Sequence, residues 1–195
     1  MISPFKGRFK ITSPRGDRFI FGKSEYHGGI DMVGIDDTTV YAVADGTVYN
    51  YYEQNGFGNY VRQHTSDGTR YFYGHLSKQL VKNGTFVYRG DPIGIMGATG
   101  RVTGAHLHLE ARMGTQKQSL DIAALTGLQN AVGTYVGVIP NRFSYDDTVN
   151  KLVKLGITDE KNMASWELML SGKAPLVPEY VRTIFDRLCD KIQKG

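Results

Sequence analysis

The sequence predicts a mainly β domain followed by a small all-α one, and three observations carry that prediction. Up to residue 125, aromatic and β-branched runs are punctuated by turn residues. The chain holds 24 Gly together with 9 Phe and 12 Tyr, a composition that favours sheet with many turns. One run, Gly104-Ala105-His106-Leu107-His108-Leu109-Glu110, alternates apolar and polar residues as a half-buried strand does. From Ser144 the apolar spacing becomes helical. The domains are therefore set at residues 1–125 and 144–195, with a linker over 126–143.

Residues 7–23 mix Gly, Pro, Arg and aromatics, the pattern of short extended segments joined by turns. In Tyr26-His27-Gly28-Gly29-Ile30-Asp31-Met32, two adjacent glycines argue against a helix and for a tight backbone passing close to another group. His27 and Asp31, four apart, share one side of an extended segment and can converge on one ion. Val40-Tyr41-Ala42-Val43 and Thr47 to Tyr52 read as a hairpin about Asp45-Gly46. Asn59 to His64 and Thr69 to His75 make a second about Asp67-Gly68. Strands over Gly84 to Tyr88 and Ile93 to Met96 follow. The small residues from Gly97 to Gly104 then form a loop that delivers the chain into the His106 strand.

Leu120 to Leu125 closes the first domain, and Thr126 to Phe143, with three glycines and a proline, reads as the linker. Ser144 caps a helix with an acidic first turn, whose stripe of Val149, Leu152 and Val153 stops at Gly156. Trp166, Met169 and Leu170 mark a second helix, ended at Ser171-Gly172. The third begins near Pro178 and carries Val181, Ile184, Phe185, Leu188 and Ile192 at helical spacing. Three such helices make a small bundle in which this stripe is core.

The formal charge of +4 (23 basic, 19 acidic) falls entirely on residues 1–143, because the rest is balanced. A mildly basic first domain suits an anionic surface. Nucleic acid is not expected as a partner: the basic residues are scattered, with no basic helix or stacking-aromatic motif. The only cysteine, Cys189, excludes an intrachain disulfide and a cysteine-based zinc cluster, so any metal must be held by His and carboxylate. Cys189 itself reads as a half-buried thiol. The N-terminus lacks the apolar run of about 7–15 residues that a secretory signal needs, and no segment is long enough to span a membrane. A product made in the cytoplasm is expected, and a substrate elsewhere would require its separate release.

Of five histidines, His27, His75, His106 and His108 fall at strand ends or turns that can bring them together; the fifth is His64. On the 104–110 strand, His106, His108 and Glu110 share a face. Residues two apart there lie about 7 Å from each other, so one imidazole can bind a metal while the other reaches a metal-bound water or substrate. Two nitrogens and one carboxylate oxygen would fill three positions of a tetrahedral zinc site and leave the fourth to water. Zinc would polarise a scissile carbonyl and bring the pKa of water from about 15.7 toward about 7. The His-Glu-x-x-His pattern that supplies a glutamate base is absent; histidines beside the metal could take that role instead.

Taken in order and spacing, six segments resemble the lysostaphin-like (M23) zinc endopeptidases: His27-Gly28-Gly29-Ile30-Asp31, Val40-Tyr41-Ala42 to Asp45-Gly46-Thr47-Val48, Gly58-Asn59-Tyr60-Val61, Tyr73-Gly74-His75-Leu76-Ser77, Gly97-Ala98-Thr99-Gly100 and Gly104 to Glu110. The likeness spans about residues 13–112.

That resemblance implies one Zn2+ per catalytic domain, held by His27, Asp31 and His108. It implies that His106 and His75 flank the water and substrate, His106 as base and His75 as partner of the oxyanion. It implies a two-layered antiparallel β domain with a groove, in which Tyr26, Asn59 and Tyr73 line the wall and Gly97 to Gly104 forms a rim. The implied substrate is the peptide part of bacterial peptidoglycan. Glu110 reads first as a surface or strand-pairing residue and second as an orienter of a ligand histidine; His64 reads as structural.

The C-terminal segment is similar, more loosely, to small helical modules of clostridial and phage cell-wall hydrolases. This implies wall attachment, through glycan or teichoic acid, with a structural or dimerising tail as the alternative. The whole then reads as a phage or prophage endolysin that lyses Gram-positive cells from outside the cytoplasm after release. The rival reading is an inactive wall-binding or hydrolase-regulating protein; a metallo-carboxypeptidase fits less well, because a longer His-to-Asp spacing is expected there.

Overall fold

The computed structural model describes residues 2–138. The three helices expected from Ser144, and the last residues of the expected linker, lie outside the described residues. Along the chain run β1 (Gly7–Ser13), β2 (Gly16–Ile20), β3 (Lys23–His27), β4 (Ile30–Gly34), β5 (Thr39–Tyr41), β6 (Gly46–Glu53), β7 (Gly58–His64), β8 (Thr69–Gln79), β9 (Thr85–Val87), β10 (Pro92–Met96), β11 (Leu107–Met113), helix α1 (Ile122–Thr126) and β12 (Gly133–Gly137).

Ten of these strands form one antiparallel sheet in the order β12-β1-β4-β11-β8-β7-β6-β9, and β10 joins β5 to the far end of β8. Strands β2 and β3 stand apart as a two-stranded hairpin. The expected mainly β domain is present. β1 shows how the sequence makes it: Phe9 and Ile11 turn inward while Arg8 and Lys10 face out, the period of two that one buried face requires. Phe9, Ile11, Ile30, Met32, Val61, Tyr73, Leu76, Leu107 and Leu109 are fully buried in one cluster, which Val40 and Ile93 join from β5 and β10. Each such side chain contributes about 1.5–3 kcal/mol by burial.

Two expected connections differ. β5 does not pair with β6 across Asp45-Gly46; its partner is β10, and Asp45 instead accepts the Arg89 amide. The second hairpin, β7 with β8, forms as read. The stretch after residue 125 is more than a linker: β12 completes the sheet edge beside β1, with Phe9 opposite Tyr135 and their rings 5.9 Å apart. Its three glycines masked a strand whose apolar partner lies more than a hundred residues away. α1 is capped at both ends, with Asp121 accepting from the Ala123 and Ala124 amides and Gly127 in the left-handed region at φ 72°.

β11 is buried on both faces. Leu107, Leu109 and Ala111 belong to the core. His108 and Glu110, on the opposite face, are covered as well, and that second covering is the site.

Candidate metal centre

Strands β4 and β11 are in register with Asp31 opposite His108, so the two side chains leave the sheet on the same face. His27 ends β3 and reaches them from the separate hairpin. The expectation of one extended segment from His27 to Asp31 is not met, because the chain passes from one sheet to the other through Gly28-Gly29. That turn lies flat on the site. A Cβ at position 29 would stand 2.5 Å from the Leu109 carbonyl oxygen and 2.8 Å from the His108 ring.

His27 Nε2 lies 3.0 Å from Asp31 Oδ1 and 3.0 Å from His108 Nδ1, and His108 Nδ1 lies 2.8 Å from Asp31 Oδ1. Hydrogen bonds on the far side of each ring fix which atoms carry lone pairs. His27 Nδ1 is 2.8 Å from the Pro14 carbonyl oxygen; a carbonyl only accepts, so Nδ1 holds the proton and a neutral His27 presents Nε2 as a lone pair. His108 Nε2 donates to Glu110 Oε2 at 3.1 Å, which leaves Nδ1 as the lone pair of the neutral ring.

Three buried donors therefore converge on one point, an arrangement that suits a cation. Zinc bonds of about 2.0–2.1 Å place tetrahedral ligand atoms about 3.3 Å apart. The observed triangle, with edges from 2.8 to 3.0 Å, needs only a slight opening to match. The donor set and its spacing fit zinc.

Electrostatics follow from the crowding. Burial works against the Asp31 charge, but the imidazoles of His108 and His27 beside Oδ1 outweigh it and hold the carboxyl well below its usual range. Burial also opposes charging His108, yet Asp31 and Glu110 push its pKa up to about 9. Glu110 is buried rather than at the surface, held low by His108 and by Arg112, whose Nε donates to Oε1. It orients the ligand histidine, the second of its two expected roles.

The flanking histidines share one construction. His75 Nδ1 donates to the Thr99 carbonyl at 2.9 Å and His106 Nδ1 to the Gly104 carbonyl at 2.8 Å. Their ring centroids are 4.7 Å apart, and His106 Nε2 is 3.7 Å from Asp31 Oδ1. Both neutral rings thus present Nε2 as an acceptor. Burial pushes the His75 pKa down to about 4, which favours the neutral ring. His75 also sits in the left-handed region at φ 63°, a conformation that L-residues hold at a cost and that concentrates at functional sites.

A cavity of about 60 Å3 opens over these groups, between Phe21 of the β2–β3 turn and Arg101 of the 97–104 loop. The Arg101 guanidinium lies 4.5 Å from the Phe21 ring centroid.

Of the expected groove residues, Tyr26 is half exposed and lies beside the His27 turn. Asn59 is half-buried, its amide donating to Thr99 Oγ1. Tyr73 is a correction: it is fully buried, and its hydroxyl donates to Gln63 and accepts from the Val43 amide, so it braces the core and lines no groove.

His64 lies outside the site, against Tyr49. Sequence reasoning missed Arg18, which donates through Nη1 to Asp31 Oδ2 at 2.8 Å and through Nη2 to Glu25 at 2.7 Å. Pairing β2 with β3 sets Arg18 opposite Glu25, a cross-strand charge pair that was available as a signal. Phe57, whose ring is 5.4 Å from His108, carried no signal at all.

The sequence profile of Peptidase family M23 matches residues 25–122. The peptidoglycan DD-endopeptidase ShyC of Vibrio cholerae is 40% identical over 100 residues, which are 50% of this chain and 23% of that protein. The chain thus spans about a quarter of the length of that relative. Among solved structures, the catalytic domain of the antimicrobial peptidase lysostaphin from Staphylococcus simulans superposes with a TM-score of 0.55 at 29% identity, covering 62% of this chain and 93% of that one. A zinc-containing peptidase from Vibrio cholerae gives 0.51 at 31% identity, over 61% of this chain and 38% of that one.

Proposed function

The chain belongs to peptidase family M23, and on that premise we propose that it is a zinc-dependent endopeptidase that hydrolyses a peptide bond in the stem or cross-bridge of bacterial peptidoglycan. The observation that carries the reading is the convergence of three lone pairs, from His27 Nε2, Asp31 Oδ1 and His108 Nδ1, beside two further imidazoles whose Nε2 atoms are free to accept.

When bound, zinc supplies the Lewis acidity that makes water nucleophilic near neutral pH and polarises the scissile carbonyl. The residues supply orientation and proton transfer. His106 and His75 accept the two hydrogens of the attacking water, which turns an oxygen lone pair toward the peptide. His106, with Nε2 3.7 Å from the ligand carboxylate, takes the proton as base and returns it to the leaving amine, while its Nδ1–H stays on the Gly104 carbonyl. Glu110 keeps His108 in the tautomer that ligation needs.

A DD-endopeptidase specificity is supported by the name of the relative above. The endolysin reading rests on the sequence organisation and on likeness to an antimicrobial peptidase. In it, the segment from Ser144 attaches the enzyme to wall glycan or teichoic acid after release from the cell.

Purified walls from Gram-negative and Gram-positive species, incubated with the protein and followed by mass spectrometry of released peptides, test the activity. Zinc-dependent release that falls about 10²–10⁴-fold in His106→Ala, with zinc still bound, is the expected result. Walls that are bound but never cut, from any species, would make the protein a wall binder.

A further inference from the structure

Beside the metal centre lies a second and larger cavity of about 570 Å3 whose wall includes Arg15, Gly28, Glu110, Arg112, Lys117 and Ser119. Its charge is uneven. Arg112 is engaged by Glu110, and Glu110 in turn by His108, so that group is self-compensated. Arg15 and Lys117 are not: among the described residues neither makes an ion pair with a side chain.

Arg15 is nonetheless fixed. Its backbone is tied on both sides to Asn130, its Nη2 donates to the Ser119 carbonyl at 3.2 Å, and its guanidinium lies 5.2 Å from the Tyr26 ring centroid. Its Nε is sealed from solvent with no hydrogen-bond partner. An arginine held this firmly, its charge unmatched by any carboxylate among the described residues, is preorganised for an anion.

The floor of the cavity is Gly28, beside the ligand His27. A Cβ there would meet the Glu110 carboxyl and the Ser119 hydroxyl at 3.1 Å, so glycine keeps this corner open. Glu110, which also lines the cavity, is hydrogen-bonded to His108, so the cavity adjoins the metal centre.

We propose that this cavity is an anion subsite that receives a free carboxylate of the peptide being cut, paired to Arg15 and Lys117. Stem peptides of peptidoglycan carry such groups on their acidic and diamino-acid residues and at their D-alanine ends, and their amidated forms lack the charge. The inference rests on the peptidoglycan reading and adds to it a selection for non-amidated peptide.

The test compares two synthetic stem-peptide dimers that differ only in amidation of their free carboxylates. Each is titrated by calorimetry into zinc-loaded His106→Ala and followed as substrate of the unmodified enzyme. The acid form should bind about ten- to a hundredfold more tightly, with the difference in KM rather than kcat. In Arg15→Gln, and separately in the surface variant Lys117→Ala, the preference should shrink by about tenfold while the amidated dimer is bound as before. Equal binding of both dimers by the unmutated pocket overturns the subsite and leaves the peptidase reading intact. A preference that survives both variants also overturns it, as does tighter competition by a glycerol-phosphate polymer than by the acid peptide. If neither dimer is bound or cut, the peptidoglycan reading fails and the subsite falls with it.

Discussion

Arg18 grips the outer oxygen of Asp31: its Nη1 stands 2.8 Å from Oδ2, while Oδ1 turns to the two imidazoles. One carboxylate thus has one oxygen held by a cation of the protein and one left for the metal. Because Arg18 is paired to Glu25, deleting both removes a neutral unit and isolates orientation from charge. Arg18→Ala/Glu25→Ala should lower zinc affinity about ten- to hundredfold, measured by chelator competition, with little change in thermal stability.

Metal binding should be strongly pH-dependent. In the metal-free protein His108 is charged below about pH 9, and zinc must displace that proton. Apparent affinity should therefore rise about tenfold per pH unit as pH increases, and level off above about pH 9. Asp31, held low, stays ionised throughout and contributes no slope. Glu110→Gln removes one of the charges that raise His108, so the plateau should begin at lower pH. Competition titrations across this range check both statements.

Gly29 has no room for a methyl group, since its Cβ would strike backbone and the His108 ring together. Gly29→Ala should cost about 1–3 kcal/mol of stability by overpacking and weaken zinc binding by displacing that ring. Gly104→Ala, where nothing lies within 4 Å, is the control and should do neither. Denaturant melts and zinc titrations separate the two variants.

Tyr73→Phe should destabilise the protein by about 1–3 kcal/mol, because the Val43 amide and Gln63 each lose a buried partner. Zinc affinity and hydrolysis should be unchanged, the opposite of what a groove residue would show.

The candidate residues were legible because strand alternation and the double glycine are local signals, while their division into ligands and flanking histidines came only from the family resemblance. His106, His108 and Glu110 on one face follow from a period of two, and Gly28-Gly29 announces a close approach. What stayed hidden depends on contacts between distant segments. Arg18 reaches Asp31 only because a separate hairpin folds against β4. β5 finds β10 rather than β6, and β12 finds β1 across the whole domain. Tyr73 stands two residues before His75, yet it joins the core while His75 packs against His106, because the left-handed backbone at His75 breaks the alternation of β8. The tautomers of the four site histidines rest on carbonyls of Pro14, Thr99 and Gly104 and on Glu110, atoms for which composition and spacing carry no information.

The pairing of Asp31 with His108 across β4 and β11 also makes the apolar core a proofreader. On each strand the ligand alternates with residues of zero exposure, Ile30 and Met32 around Asp31, Leu107 and Leu109 around His108. A slip of β4 by one residue would turn Asp31 into the interior and expose both neighbours. Hydrocarbon packing on one side of the sheet therefore enforces the fidelity of ion recognition on the other. Substitutions at Ile30 or Leu109, which never meet metal or peptide, can corrupt the site as surely as the loss of a ligand.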